Sequence, residues 1–155
     1  MEYMSQEGYD KLVAELQELE SELPKVKEAI AEARDKGDLS ENFEYHAAKR
    51  AQARLLSQIS FKQRVLAHVR VIDSSRLSAD RVQLLSRVEM TNLGNNARMT
   101  YTLASPHEAN LREGKISVKS PIGRALMGKQ AGDTVSVRVP AGLLRLRIES
   151  ITLGA

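Results

Sequence analysis

The sequence contains no cysteine and no tryptophan, and other aromatic residues are few, with two Phe and four Tyr among 155 residues. Without cysteine the chain has no disulfide framework, no thiolate metal site and no cysteine nucleophile. The three histidines, His46, His68 and His107, lie far apart and lack metal-ligand spacing, so they are expected at the surface. Disulfide scaffolds and cysteine hydrolases are therefore excluded.

Long hydrophobic runs are also missing from the sequence. No apolar segment approaches the roughly 18–20 residues that a membrane-spanning helix needs. The first residues, Met1-Glu2-Tyr3, lack the charged and apolar regions of a secretory signal. We therefore expect a cytoplasmic protein with no membrane partner, folded as one domain or as two small ones.

Charge is distributed unevenly along the chain. Residues 1–72 contain 11 Lys/Arg and 13 Asp/Glu, whereas residues 73–155 contain 12 and 7. Residues 49–70 contain six basic side chains and no acidic one. This basic stripe consists of Lys49, Arg50, Arg54, Lys62, Arg64 and Arg70. Its members could contact phosphates, or they could pair with the acids of a facing helix.

The first part of the chain has the hydrophobic spacing of a helical hairpin. Apolar residues recur at alternating steps of three and four from Tyr9 to Ala33, which is a heptad seam. Ser5 is a candidate N-cap, and Pro24 should kink the helix or remove one hydrogen bond. A second, weaker seam follows between about residues 42 and 69. The spacing therefore predicts two long helices that pack against each other.

Short segments with β character follow in the second part. They are residues 82–90, 98–103, 116–118, 134–139 and 143–152. Residues 120–128 indicate a short helix, with Ser120 at the N-cap, Pro121 at the first helical position and Gly128 past the end. The predicted fold class is α+β: a helical hairpin over residues 1–73, a linker over 74–79, and a small β-sheet domain with one short helix over 80–155.

The turn between the predicted helices, residues 36–45, carries two carboxylates. Gly37 can end the first helix in a left-handed conformation, and Asp38 and Glu41 are expected in the first turn of the next helix, on one face. Two explanations fit this spacing. The carboxylates could form a capping box, each accepting a bond from the other residue's backbone amide. They could instead face one hard cation together.

Two motifs of the chain resemble those of a known family. Residues 37–48, Gly-Asp-Leu-Ser-Glu-Asn-Phe-Glu-Tyr-His-Ala-Ala, resemble the tip motif of the Gre family of bacterial transcript cleavage factors. Residues 116–135, which include Ser-Pro-Ile-Gly and Gly-Asp-Thr-Val, are similar to the family's C-terminal signature. Two positions depart from the pattern: Phe43 stands where relatives usually have Ala, and Lys119 where they often have an acidic residue or Asn.

The resemblance implies an N-terminal antiparallel coiled coil with an acidic tip and a C-terminal FKBP-like domain. In this family the globular domain docks at the rim of the secondary channel of RNA polymerase, and the coiled coil enters the channel. The expected partners are therefore bacterial RNA polymerase and the 3′ end of the nascent RNA, with no small-molecule substrate.

Residue roles also follow from the resemblance. Asp38 and Glu41 are expected to help hold the second Mg²⁺ of the polymerase and to orient the attacking water. The chain would then be an accessory factor rather than an enzyme, and it would bind Mg²⁺ only in the complex. Tyr45, Lys49 and Arg50 are expected to touch RNA or polymerase, although Tyr45 also has the register to pack in the seam. Ser120 and Pro121 are expected to form a docking site, although the same two residues are also typical of a helix N-terminus.

Two other functions fit some of the same features. A Gre-like protein could bind in the channel and inhibit or modulate polymerase without cleavage, but the intact Asp38 and Glu41 pair disfavours this. A peptidyl-prolyl isomerase is suggested by the fold implied for residues 80–155. Such sites usually need an aromatic-lined apolar pocket, and this half contains Tyr101 alone among Phe, Trp and Tyr. Stimulation of transcript cleavage is therefore the expected function.

Overall fold

The chain forms two compact units in a computed structural model, which describes residues 2–38 and 41–154. The helical unit is Tyr9–Val69, and the globular unit combines Met1–Gly8 with Arg70–Ala155. Within the described ranges, no helix combines the length and the hydropathy that crossing a membrane requires. The first residues of the chain thus belong to the globular unit, although the long first helix follows them directly.

Two long helices make up the helical unit. Helix α1 is Gln6–Arg34 and helix α2 is Phe43–His68. The Ser5 hydroxyl accepts a hydrogen bond from the Gly8 N–H at 2.9 Å, which confirms Ser5 as the N-cap of α1. Pro24 lies inside α1 without ending it. Because proline has no N–H, its effect there includes the loss of one backbone donor.

Contacts between the two helices show that they run antiparallel. Lys62 Nζ lies 2.6 Å from Glu15 Oε2, and nearer the turn Asn42 Nδ2 donates to the carbonyl oxygen of Ala33 at 2.6 Å. The predicted heptad positions of both helices are buried or half-buried. On α1 they are Tyr9, Leu12, Leu16, Leu19, Leu23, Val26, Ile30 and Ala33, and the apolar ones on α2 are Tyr45, Ala48, Leu55, Ile59 and Leu66. The helical pair predicted from the spacing is therefore confirmed.

A five-stranded sheet organises the globular unit. Its strands are β3 (Ser86–Asn92), β4 (Arg98–Ala104), β5 (Lys115–Ser117), β6 (Thr134–Val139) and β7 (Gly142–Leu153), in the spatial order β5-β4-β3-β7-β6. Neighbouring strands are antiparallel except for β4 and β5, which are parallel. Helix α3 (Pro121–Leu126) follows β5 and contacts β5 and β6. Two short 3-10 helices, Ser74–Arg76 and Leu111–Glu113, lie in the connections.

Alternate residues of these strands form one hydrophobic core with α3. Five of its side chains, Val88, Leu103, Leu126, Leu146 and Ile148, have no exposed surface. Since successive strand residues point to opposite faces, the intervening positions of β6 and β7, such as Arg138 and Arg145, are exposed. The predicted small sheet with one short helix is confirmed.

One predicted strand begins later than its hydrophobic pattern suggested. The apolar run starts at Val82, but β3 starts at Ser86, because Leu85 has a positive φ of 74° that extended backbone does not allow. Val82 is nevertheless buried in the core. It exchanges backbone hydrogen bonds of 2.8 Å with Gly128 and Lys129, just beyond α3. The hydrophobic pattern therefore predicted correctly that Val82 lies in the core, but wrongly that it lies in a strand.

A small two-stranded sheet, which the sequence patterns did not predict, fixes the start of the chain. Strand β1 (Glu2–Met4) pairs with β2 (Val69–Val71), and the Met4 side chain is fully buried. Ser5 then donates to Glu108, both from its hydroxyl and from its backbone N–H, the latter at 3.1 Å. The carboxylate of Glu108 also accepts from the Ser105 hydroxyl at 3.2 Å. These bonds anchor the segment before α1 to the loop after β4.

Candidate functional site

The tip of the helical unit begins where α1 ends. The backbone N–H groups of Asp35 and Lys36 still donate to carbonyl oxygens of the last helical turns, each at 3.2 Å. Gly37 then has φ +146°, which is positive but lies outside the left-handed helical well that the sequence analysis suggested for it. Nothing lies within 4 Å of the place where a Cβ would stand. Backbone conformation rather than crowding therefore favours glycine at this position.

Helix α2 has Asn42 as its N-cap, which corrects one detail of the predicted turn. The Asn42 Oδ1 accepts a hydrogen bond from the Tyr45 N–H at 3.0 Å, while its Nδ2 makes the bond to the Ala33 carbonyl described above. One side chain thus satisfies a free donor at the start of α2 and an acceptor near the end of α1. Because α2 starts at Phe43, Asp38 and Glu41 precede its first turn instead of lying within it.

Asp38 and Glu41 are both exposed, and both line one shallow concavity at the tip. The other residues that line it are Lys36, Gly37, Asn42, Phe43 and Glu44. Glu44 pairs with Lys36, with 3.1 Å between the Glu44 Oε2 and the Lys36 Nζ. The arrangement brings together the two carboxylates that the sequence singled out and adds an aromatic ring beside them.

The three expected contact residues beyond the tip differ in their surroundings. Tyr45 is half-buried, in register with the seam, and its ring meets that of His46 edge-on at a centroid distance of 5.5 Å. Lys49 and Arg50 are exposed on α2, and the Lys49 Nζ lies 3.5 Å from the Gln52 Oε1. The seam position of Tyr45 therefore coexists with partial access to solvent.

The basic stripe is only partly neutralised by the facing helix. In the described part of the helical unit, the ion pair between Lys62 and Glu15 is the one that links a stripe residue to α1. Arg64 instead donates to the Ser60 hydroxyl on its own helix at 3.1 Å. The stripe residues other than Lys62 are exposed: Lys49, Arg50, Arg54, Arg64 and Arg70. Pairing across the hairpin explains one position, and the others present positive charge to solvent.

In the globular unit, Ser120 and Pro121 begin α3 as the sequence predicted. The Ser120 hydroxyl accepts from the Gly123 N–H at 3.1 Å and donates to the Ser117 carbonyl at 2.6 Å, and Pro121 is the first helical residue. A Cβ on Gly123 would lie 2.1 Å from that same carbonyl oxygen. The loop of residues 117–123, which the resemblance predicts to dock, is therefore held by the cap and by a close backbone approach.

Glu2, which the sequence analysis did not single out, lies beside this loop. Its carboxylate pairs with Lys119 and lies 2.7 Å from the His107 Nε2. The hydrogen bond from Lys119, reinforced by His107, lowers the pKa of Glu2 below its usual value. Glu2 and Lys119 also line an apolar depression with Tyr3, Leu84, Pro106, Val118 and Met127. The three residues Glu2-Tyr3-Met4 carry no polar–apolar alternation that could have predicted this strand.

Comparisons with known proteins cover both units. The family described as "Transcription elongation factor, N-terminal" matches residues 2–71, and the family described as "Transcription elongation factor, GreA/GreB, C-term" matches residues 77–153. A transcription elongation factor GreA from Christiangramia forsetii is 50% identical over 150 residues, covering 96% of this chain and 95% of the relative. One from Flavobacterium johnsoniae is 47% identical over 151 residues, covering 97% and 96%.

Among solved structures, the chain matches the GreA factor homolog 1 (Gfh1) protein of Thermus thermophilus, with 26% identity, coverage of 97% and 98%, and a TM-score of 0.46. The sequence matches extend over both units and nearly the full length of the chain. These sequence matches confirm the resemblance to the Gre family that the two motifs indicated. The chain belongs to the GreA/GreB family of transcription elongation factors.

Proposed function

We propose that this protein enters the secondary channel of bacterial RNA polymerase and stimulates the polymerase's own cleavage of backtracked RNA, which rescues arrested complexes. The observation that carries the proposal is the pair of exposed carboxylates, Asp38 and Glu41, in one concavity at the end of a long helical pair. The 29 residues of α1 extend over about 44 Å at a rise of 1.5 Å per residue. Such a length suits an element that carries a reactive group into a channel.

The donor set at the tip fits a shared Mg²⁺ site. Carboxylate oxygens are the ligands that this hard cation prefers, and exposure leaves room for further ligands. Two carboxylates supply fewer oxygens than the octahedral shell requires, so groups of the polymerase and phosphates of the RNA would complete it. Among residues 2–38 and 41–154, no cluster of three or more His, Asp or Glu side chains is placed to hold a metal ion.

The chain's own residues would act by position and charge. Asp38 and Glu41 would contribute oxygen ligands at the polymerase active centre and accept a hydrogen bond from the attacking water, orienting it towards the phosphodiester. Mg²⁺, when bound there, would activate water and stabilise negative charge on the phosphate. Because Asn42 supplies the N-cap of α2, neither carboxylate is needed for that role. The protein would thus be an accessory factor whose partner provides the rest of the catalytic site.

The remaining expected contacts divide between the two units. Lys49 and Arg50 would meet RNA phosphates or the channel wall, since both are exposed, and the accessible part of Tyr45 would lie beside them. The exposed Pro121 and the Ser120 cap would form part of the surface that docks on polymerase, in a domain of FKBP-like type. The channel-entering part would be the helical unit, Tyr9–Val69, and the docking part would be the globular unit, which includes Met1–Gly8 and resumes at Arg70 rather than after the linker at 74–79. The nascent RNA 3′ end would be the substrate of the completed site, and the cytoplasm the expected location.

RNA cleavage in halted, backtracked polymerase complexes tests the proposal directly. Asp38→Asn and Glu41→Gln keep side-chain size while removing one negative charge each. We expect either change to lower stimulated cleavage by about 10–100-fold or more, since a metal contributes several kcal/mol to the transition state. Raising the Mg²⁺ concentration should restore part of the rate.

Glu44→Gln is the matched control, because Glu44 lines the same concavity but pairs with Lys36. All three variants should unfold near the wild-type temperature and displace labelled wild-type protein from polymerase equally well, while Glu44→Gln retains cleavage. Normal cleavage by both Asp38→Asn and Glu41→Gln would show that the proposed mechanism is wrong. A wild-type protein that slows RNA extension and leaves backtracked RNA uncut would instead support the channel-binding inhibitor.

A further inference from the structure

The side chain of Phe43 is highly exposed and lies at the tip beside the two carboxylates. At 86% it is the most exposed large hydrophobic side chain among the described residues. Single apolar side chains on a surface are common and by themselves mean little. Phe43, however, is one of two phenylalanines in the chain, and it lies in the concavity that contains Asp38 and Glu41. The ring therefore borders the one place where the helical unit presents its paired carboxylates.

The backbone that carries Phe43 is well fixed. It is the first residue of α2, directly after the Asn42 cap, and the Asn42 carbonyl accepts a hydrogen bond from the His46 N–H at 3.1 Å. The Asn42 side chain also connects this start to the end of α1 through Ala33. Only the two side-chain torsions of Phe43 remain to be ordered, so a partner could bind the ring at a small cost in conformational entropy.

The charges around the ring favour one kind of partner. Asp38, Glu41 and Glu44 line the same concavity with one cation, Lys36, which pairs with Glu44, so the net charge of the concavity is negative and would repel a phosphate group that approached without a metal ion. A nucleobase is uncharged, presents a flat π face and stacks on aromatic side chains irrespective of its identity. A base therefore suits the site better than a phosphate does.

We propose that Phe43 stacks on an unpaired base of the backtracked RNA and thereby positions the neighbouring phosphodiester beside Asp38 and Glu41. The inference rests on the proposed function, because that function brings the tip to the RNA 3′ end. The ring would hold the nucleotide while the carboxylates act on the bond next to it. Phe43 is thus a substrate-positioning residue, and it gives the tip a preference for RNA that offers an unstacked base.

The test combines three substitutions with RNAs that lack a base. Phe43→Ala and Phe43→Leu should lower stimulated cleavage by roughly 5- to 150-fold, the range expected for one base stacked on an aromatic ring. Phe43→Tyr should retain the wild-type rate because it keeps a π face. RNAs with an abasic nucleotide at each backtracked position in turn are compared with the intact RNA. With the abasic nucleotide at one of these positions, the cleavage rate with wild-type protein should fall to the rate that Phe43→Ala gives on intact RNA. On that abasic RNA, Phe43→Ala should lower the rate no further.

The possible outcomes separate this inference from the function on which it rests. Absence of stimulation by the wild-type protein would overturn both. Wild-type stimulation with normal cleavage by Phe43→Ala would overturn the role of Phe43 alone. Activity restored by Phe43→Leu, or an equal loss with Phe43→Ala on intact and abasic RNA, would assign the ring to an apolar contact with polymerase and overturn the stacking. Because Phe43 is so exposed, all variants should fold, and their thermal unfolding midpoints should match wild type.

Discussion

The two units bury their apolar residues to different extents. In the globular unit a sheet and a helix enclose a core, and side chains such as Leu103, Leu146 and Ile148 have no exposed surface. In the helical unit each helix has one long partner, so most seam residues stay half-buried, and the most buried of those described, Ala33 and Leu55, retain 4% exposure. The globular unit therefore rests on a packed interior, whereas the tip of the helical unit relies more on local hydrogen bonds.

The Asn42 cap shows how the helical unit meets that requirement. Its two side-chain bonds join the end of α1 to the start of α2, beside the buried Ile30 and Ala33. The loop of residues 117–123 has a comparable cap at Ser120, but its Gly123 is also buried, and α3, which begins in this loop, contributes Leu126 to the core. The position of the tip residues thus depends on few hydrogen bonds, and the loss of any one of them should displace the tip more than the loss of the Ser120 cap displaces its loop.

The largest difference between the units is expected from matched core truncations. Leu146→Ala removes a fully buried side chain from β7 and should cost about 2–5 kcal/mol of unfolding free energy. Leu19→Ala removes a half-buried seam residue that lines an open groove on the helical unit, and it should cost about 1 kcal/mol. Urea unfolding followed by circular dichroism measures both. Equal losses would contradict the contrast and show that the helical seam is as tightly packed as the core.

This contrast also explains which parts of the fold could be predicted. The period of the first seam continues from Tyr9 to Ala33, so helix type and facing were determined by many independent positions. The strands after Asp73 were found from their β-rich composition, but the start of β3 was wrong because the positive φ of Leu85 has no signal in residue type. Strand β1 was missed because three residues carry too little pattern to distinguish a strand from a helix start.

At the tip, the sequence predicted the residues better than their roles in capping. Asp38 and Asn42 are both good N-cap residues four positions apart, and propensity does not separate them. The choice is decided by the Ala33 carbonyl, which only Asn42 can reach with an amide donor while it caps α2. The exposure of Phe43 could not be predicted either. At the start of a helix, a shift of one residue decides whether a side chain lies in the seam or faces solvent.

Two glycines give a second, smaller comparison between the units. Gly123→Ala would put a Cβ against the Ser117 carbonyl oxygen at the start of α3, and relieving that clash should cost about 1–3 kcal/mol and weaken polymerase binding. Gly37→Ala meets no neighbour but must keep a φ of +146°, so it should cost about 1 kcal/mol. Thermal unfolding midpoints and a polymerase binding curve measure both effects. Normal binding by Gly123→Ala would remove the α3 start from the proposed interface.

The smallest expected effect on stability comes from the Glu2 ion pair, which links the first residues to the rest of the globular unit. The folded pKa of Glu2 lies below the usual value of a glutamate, chiefly because Lys119 donates a hydrogen bond to its carboxylate and secondarily because of His107. A depressed folded pKa means that the unfolded state binds the proton more tightly. The stabilisation is therefore complete above the unfolded pKa and is lost as pH falls through the folded pKa. For a partly exposed pair it should amount to at most about 1 kcal/mol.

Glu2→Gln should remove this contribution, so that wild type and variant differ most near neutral pH and converge below the usual glutamate pKa. Urea midpoints measured across that acidic range test the expectation. The Lys119→Gln variant should differ from wild type by nearly as much near neutral pH, and its difference should likewise vanish in acid. The difference for His107→Asn should be smaller, because the bond from Lys119 is the larger cause of the pKa shift. Parallel curves for wild type and Glu2→Gln would show that the ion pair does not hold β1 to the loop of residues 117–123. Strand β1 would then be held by its pairing with β2, the buried Met4 and the Ser5–Glu108 bonds.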